Sequence, residues 1–321
     1  MNTTPRPTLS PRAWLRWGGF VLGVLLLAAA VHAITRDRAS LDATLTSIRS
    51  ASPLLISLLI VLPIVNWLLT SFIFWLLMHP SADENYVAPG IGEMLELIGA
   101  AWLANYLPVR PGLFGRIAWH RKHGGVPIAR SIHSIVSAIG CGVVAVVLLV
   151  GAAWATPRET AHGNLWAIAA LIAPPLGLAA LAGPAGRVRP QWRWFLAACS
   201  VRCIDVWVWM ARYWVAFAIT GQTTLELREA AAIAAVSQAA SMIPLAGNGL
   251  GLRETAVGMM GAWLPTWYVS GTRLSSQVGL ASDIVNRTGE LFAAIGVGTI
   301  CGLLLVRRMN AARGMNAGDR T

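Results

Sequence analysis

Two apolar stretches of the sequence contain ionisable side chains at helical spacing. Arg202 and Asp205 are three residues apart in one stretch, and Asp283, Arg287 and Glu290 follow at intervals of four and three in the other. On helices these intervals bring side chains to one face. Ionisable groups at membrane depth usually face the bundle interior and mark a substrate path, although some form structural ion pairs. We predict that Arg287 binds substrate and that the other four form ion pairs.

Two Gly/Pro-rich breaks interrupt other apolar stretches, and basic residues follow both. The candidate binding residues are Asn105, Pro108, Gly112 and Arg116 at the first break, and Pro244, Gly249, Gly251, Arg253 and Glu254 at the second. A helix that begins after such a break presents backbone N–H groups to an anion, and guanidinium groups bind phosphate through two hydrogen bonds. The chemistry indicated is phosphate binding. The alternatives are that Glu254 caps a helix and that Arg116 is an orientation charge at the membrane surface.

The sequence shows no pattern typical of a cofactor site or a catalytic motif. His120, His123 and His133 lie among lysine and arginine residues, without the carboxylates of a metal site. Neither a nucleophile elbow nor a phosphate-binding loop after a strand occurs. We therefore predict no cofactor and no enzymatic activity.

The composition excludes an ordinary soluble domain. Of the 321 residues, 56% are hydrophobic and 12% are charged, and the formal net charge is +11. The basic residues flank apolar segments, as expected for orientation signals and contacts with anionic lipid headgroups. We expect membrane lipids with an anionic or phosphate-bearing headgroup as partners, and no nucleic acid.

Several apolar segments approach the roughly 20 residues that cross a bilayer as a helix. The predicted spans are residues 17–34, 53–78, 135–155, 165–183, 195–220 and 278–306. We predict an all-α polytopic membrane protein with one integral domain over residues 1–321, in which residues 1–12 and 309–321 are flexible cytoplasmic tails. The first apolar run is too long for a signal peptide and is predicted to stay as a helix.

The basic clusters lie on one side of the membrane only if two segments enter and turn back. Residues 91–118 then form a re-entrant hairpin entered from the cytoplasm, and a second hairpin around residues 230–256 is entered from outside. Both termini are then cytoplasmic. Matched, broken segments in two halves favour an inverted repeat with a central substrate site. The alternative is that glycine and proline merely form loops between helices.

The two breaks also resemble a known family. Asn105, Pro108, Gly112 and Arg116 are similar to the first motif of the flippase-like transmembrane domain of the lysylphosphatidylglycerol synthases, and the stretch from Pro244 through Glu254 is similar to its second motif. Arg287 matches a position where that family tends to have arginine. The resemblance implies a stand-alone member without the soluble synthase domain, located in a bacterial-type cytoplasmic (inner) membrane.

The resulting hypothesis is a lipid transporter, or flippase, that moves a phospholipid or lipid-linked headgroup between leaflets. Arg116, Arg253 and Arg287 are expected to bind the phosphate together. Two alternatives remain open at this point: an intramembrane lipid-modifying enzyme with Glu254 or Asp205 as a base, and a non-transporting assembly factor for envelope lipid enzymes. The sequence leaves the lipid, the direction of movement and the oligomeric state open.

Overall fold

The computed structural model describes residues 38–80, 86–107, 110–155, 163–221, 225–242, 251–263 and 276–318, together with isolated positions between 21 and 32. The described part is all-helical and contains no strand. Its helices are α1 (Arg38–Ser50), α2 (Pro53–Leu77), α3 (Ile91–Ala104), α4 (Pro111–His123), α5 (Ile128–Ala155), α6 (Gly163–Val188), α7 (Pro190–Ile219), α8 (Leu227–Met242), α9 (Leu252–Trp263) and α10 (Ser276–Gly318).

Five helices of the described part are long and apolar enough to cross a membrane. They are Pro53–Leu77, Ile128–Ala155, Ile168–Val188, Pro190–Ile219 and Gln277–Ala311. Each overlaps a predicted span, so the prediction of a helical multi-pass membrane protein is confirmed at this level. Most of the predicted span at residues 17–34 lies outside the described residues. The last helix reaches Gly318 and so continues through most of the predicted tail at 309–321.

The segments predicted as hairpins form two pairs of short helices, α3 with α4 and α8 with α9. The four helices contain 12 to 16 residues. At 1.5 Å per residue they are about 18–24 Å long, less than the roughly 30 Å of a hydrocarbon core. Each helix alone is therefore too short to cross that core, and the re-entrant path of the two pairs stays a prediction.

Local backbone geometry sets the end of each break. Arg110 has a positive φ of 50° directly before α4, and Pro111 then supplies the first helical residue without a backbone N–H that needs a partner. A Cβ on Gly112 would lie 2.6 Å from the Cα of Ala101, so glycine lets α4 approach α3 closely. Gly251 has a φ of 78° immediately before α9, a conformation that glycine adopts without strain.

The two short pairs share one support, the last helix. Helix α10 packs against α3 of the first pair and α9 of the second, and it also contacts α2 and α7. Helix α7 in turn packs against α2, α5, α6 and α8. This arrangement brings α9, which follows the second break, and α3, which precedes the first break, against α10.

Candidate functional site

Glu290 of α10 is the centre of a buried hydrogen-bond network. Its Oε2 atom accepts hydrogen bonds from Arg212 Nη2 at 2.6 Å and Arg253 Nη1 at 3.0 Å. Its Oε1 atom accepts a hydrogen bond from the Tyr106 hydroxyl at 3.0 Å. The two arginine side chains are 2% and 1% exposed. One carboxylate therefore joins α7, α9 and the turn that follows α3 to the last helix.

Asp283 lies two turns before Glu290 on the same buried face of α10. Arg253 Nε lies 3.2 Å from both of its carboxylate oxygens, and the Tyr213 hydroxyl donates to Oδ1 at 2.6 Å. Arg287, between these carboxylates, contacts Glu254 with 3.2 Å between Nε and Oε1. The sequence placed Asp283, Arg287 and Glu290 in one intrahelical arrangement. The contacts of Asp283 and Arg287 given above join different helices, because α9 packs against this face of α10 and brings Arg253 and Glu254 to it.

Arg202 and Asp205 form the ion pair that their spacing allows, with 2.7 Å between Nη1 and Oδ2. Arg202 Nη2 also donates to Gln238 Oε1 of α8 at 3.3 Å. Asn66 of α2 donates to Asp205 Oδ1 at 2.7 Å and accepts from Arg212 Nη1 at 3.1 Å. The amide of Asn66 thus connects the Arg202–Asp205 pair to the network around Glu290.

Aromatic rings lie next to several of the arginines, among them Arg116, Arg212 and Arg253. The Arg116 guanidinium lies 3.8 Å from the centre of the Phe74 ring. The guanidinium groups of Arg212 and Arg253 lie 3.9 and 5.5 Å from the Trp209 ring centre. Such cation–π contacts stabilise a guanidinium, more strongly where water is excluded.

A cavity of about 240 Å³ lies among these groups. Both helix pairs contribute to its wall. The polar and charged residues that line it are Asn66, Asn105, Arg116, Arg202, Arg212, Gln238, Arg253 and Glu290, with Thr70, Ser241 and the indole groups of Trp67, Trp102 and Trp209. The volume is below the roughly 300–1,000 Å³ of pockets that enclose drug-sized ligands. It suits a small polar group rather than a whole lipid.

The predicted binding residues fall into three groups. Asn105, Gly112, Arg116 and Arg253 line the cavity. Arg287 and Glu254 are buried and paired with each other but are not among the described lining residues, and Gly251 precedes α9. Pro108, Pro244 and Gly249 lie outside the described residues. Of the three arginines expected to bind one phosphate, two therefore border the cavity.

Asn66, Gln238 and Trp209 are cavity residues that the sequence analysis did not single out. A signal existed for Asn66, because it is the one asparagine in the otherwise apolar helix α2. A polar amide at membrane depth requires a partner. Gln238, the one amide side chain in the mainly apolar helix α8, carried the same signal, whereas the role of Trp209 depends on how α7 packs.

Among the described residues, no group of three histidine, cysteine, aspartate or glutamate side chains is placed to hold a metal ion. Comparisons with protein-family models, with curated proteins and with solved structures found no match to this chain.

Proposed function

We propose that the protein is a lipid transporter that moves a phosphate-bearing lipid headgroup between the leaflets of a cytoplasmic membrane. The observation that carries the proposal is the cavity itself. Four arginines line it, it lies among apolar helices long enough to span a bilayer, and both short helix pairs contribute to its wall.

The physical problem for a flippase is that a charged headgroup is not stable in hydrocarbon. An isolated ion there loses its hydration, which costs many kcal/mol unless other polar groups replace the water. Guanidinium groups suit this task because they stay charged and bind phosphate with two parallel hydrogen bonds. A small cavity holds only the headgroup, so the acyl chains stay in the bilayer.

Arg116 differs from the other arginines of the cavity wall. Arg202, Arg212 and Arg253 each have a carboxylate partner at 3.2 Å or less. Among the described residues Arg116 has none, although it is only 7% exposed and its guanidinium lies over Phe74. A buried cation without a carboxylate partner is expected where an anionic ligand completes the site. Arg116 is therefore the first contact that we assign to the phosphate.

Movement of one helix pair relative to the other would open the cavity to each leaflet in turn. Matched broken helices around a central site are typical of transporters with inverted repeats, in which one repeat rocks against the other. The proposal includes three further parts. Both helix pairs are re-entrant, both termini are cytoplasmic, and the chain resembles the flippase-like domain of the lysylphosphatidylglycerol synthases.

The test uses purified protein in liposomes that contain a phospholipid with a fluorophore on its acyl chain. A membrane-impermeant reductant bleaches the outer leaflet, and lipid movement then exposes the inner leaflet. We expect the wild-type protein to allow nearly complete bleaching, whereas protein-free liposomes stop at about half. Failure across phospholipids of every headgroup charge would contradict the proposal and favour an assembly factor. Appearance of a chemically altered lipid in mass spectra would favour an enzyme.

Arg116→Gln is the informative variant in this assay. No described carboxylate depends on Arg116, so its removal leaves no orphaned charge and the protein should still fold. Arg121→Gln is the matched control, because Arg121 is an exposed arginine on the same helix. We expect slower lipid movement with Arg116→Gln and wild-type movement with Arg121→Gln.

A further inference from the structure

The cavity wall contains polar atoms that are buried and without a hydrogen-bond partner among the described residues. Three are donors, namely Arg202 Nε, Arg253 Nη2 and Gln238 Nε2, and one is the acceptor Asn105 Oδ1. Buried polar groups in native proteins are nearly always hydrogen-bonded, and each exception needs an explanation. A ligand bound in the cavity would explain all four atoms, because all belong to residues that line this one cavity. A ligand that satisfies them must accept several hydrogen bonds and donate at least one.

The charges around the cavity give a second, independent constraint. Four arginines and Glu290 line the described wall, and Asp205 and Asp283 contact Arg202 and Arg253 from behind it. Among these wall residues and their carboxylate partners, four positive and three negative charges leave one positive charge. It belongs to Arg116, the arginine of the wall that has no described carboxylate partner.

This balance disfavours a headgroup that contains its own cation. An ammonium group in the cavity would lie close to several guanidinium groups, and like charges repel strongly where water is scarce. Glu290 already accepts hydrogen bonds from Arg212, Arg253 and Tyr106. A single negative charge, by contrast, neutralises Arg116.

We infer that the cavity takes a phosphodiester headgroup with one negative charge, hydroxyl groups and no cation, as in phosphatidylglycerol. This inference rests on the proposed function and specifies its substrate class. The phosphate oxygens accept hydrogen bonds from Arg116 and from the unpartnered donors of Arg253 and Arg202. A headgroup hydroxyl donates to Asn105 Oδ1, and Gln238 Nε2 donates to a headgroup oxygen.

Three lipids with the same labelled acyl chain test the inference in the liposome assay. Phosphatidylglycerol has the charge and the hydroxyl groups, phosphatidylmethanol has the charge alone, and phosphatidylethanolamine adds an ammonium group. We expect the wild-type protein to move phosphatidylglycerol at least about tenfold faster than phosphatidylethanolamine, with phosphatidylmethanol between them. Equal rates for phosphatidylglycerol and phosphatidylethanolamine overturn the inference and leave the transporter proposal intact. Movement of none of the three overturns both.

Two variants separate the charge from the hydroxyl contact. Arg116→Gln makes the charge balance of the described wall neutral, so the preference for phosphatidylglycerol over phosphatidylethanolamine should fall severalfold, whereas Arg121→Gln should keep it. Asn105→Ala removes the unpartnered acceptor, so the rates of phosphatidylglycerol and phosphatidylmethanol should become equal. An unchanged headgroup preference in Arg116→Gln, with protein that elutes and unfolds like the wild type, also contradicts the inference.

Discussion

Glu290→Gln should destabilise the protein far more than loss of an exposed ion pair. In the folded protein one carboxylate oxygen of Glu290 contacts two buried arginines, Arg212 at 2.6 Å and Arg253 at 3.0 Å. The substitution preserves the size of the side chain but removes its charge. Removal of one partner from a buried ion pair costs roughly 3–5 kcal/mol, because the other charge stays buried without compensation. Asp283 still contacts Arg253, so most of the penalty falls on Arg212.

Glu96→Gln provides the matched control. Glu96 Oε2 lies 2.7 Å from Arg308 Nε, nearly the same distance as in the buried pair, but the Arg308 side chain is 51% exposed. Ion pairs near solvent typically contribute about 0–1 kcal/mol. The two variants remove the same charge from ion pairs with similar N–O distances. The difference between their free energies of unfolding therefore measures the effect of burial.

The measurement is reversible unfolding in mixed micelles with increasing denaturing detergent, followed by the fluorescence of the 15 tryptophans. A loss of 3–5 kcal/mol shifts the unfolding equilibrium by about two to four orders of magnitude. If Glu290→Gln lowers the free energy of unfolding no more than Glu96→Gln does, Glu290 does not lie between two buried arginines. The ion-pair network described above would then be wrong.

Three other predictions follow from the packing and the topology. Gly112→Ala should lower thermal stability, because the new Cβ would collide with the backbone of α3, whereas Gly115→Ala should be neutral because nothing lies within 4 Å of its Cβ position. Asn66→Leu should cost about 1–3 kcal/mol in detergent unfolding, because it leaves a buried carboxylate and a buried guanidinium each short of a hydrogen bond. When thiol labelling is done in intact cells, single cysteines introduced near Arg121 should react only from the cytoplasm, and those near Glu226 only from outside. The reverse labelling would refute the proposed orientation.

The elements of the fold were predictable where neighbouring residues in the sequence determine them. A membrane span is recognisable from length and hydropathy alone, so all five long apolar helices overlap predicted segments. The Arg202–Asp205 pair was equally accessible, since an interval of three residues on a helix brings two side chains together. The breaks were visible as runs of glycine and proline, because these residues interrupt helices for known steric reasons.

The partners within the cavity were not predictable in the same way. Arg212 and Glu290 are separated by 78 residues, and Asn66 and Asp205 by 139. Several carboxylates were plausible partners for each arginine, and only the packing of α7, α9 and α10 selects among them. For the same reason Arg287 is expected from the sequence to bind substrate, whereas in the structure it pairs with Glu254, and Arg202 and Arg212 line the cavity wall.

The most direct test of the central claim is a cryo-electron microscopy structure of the protein in nanodiscs of phosphatidylglycerol. The account predicts density for a phosphate within hydrogen-bond distance of Arg116 and Arg253, inside the cavity that both helix pairs line, with the acyl chains outside it. A resolved cavity without lipid density, from a sample that moves phosphatidylglycerol in liposomes, would contradict the claim that these arginines carry the headgroup.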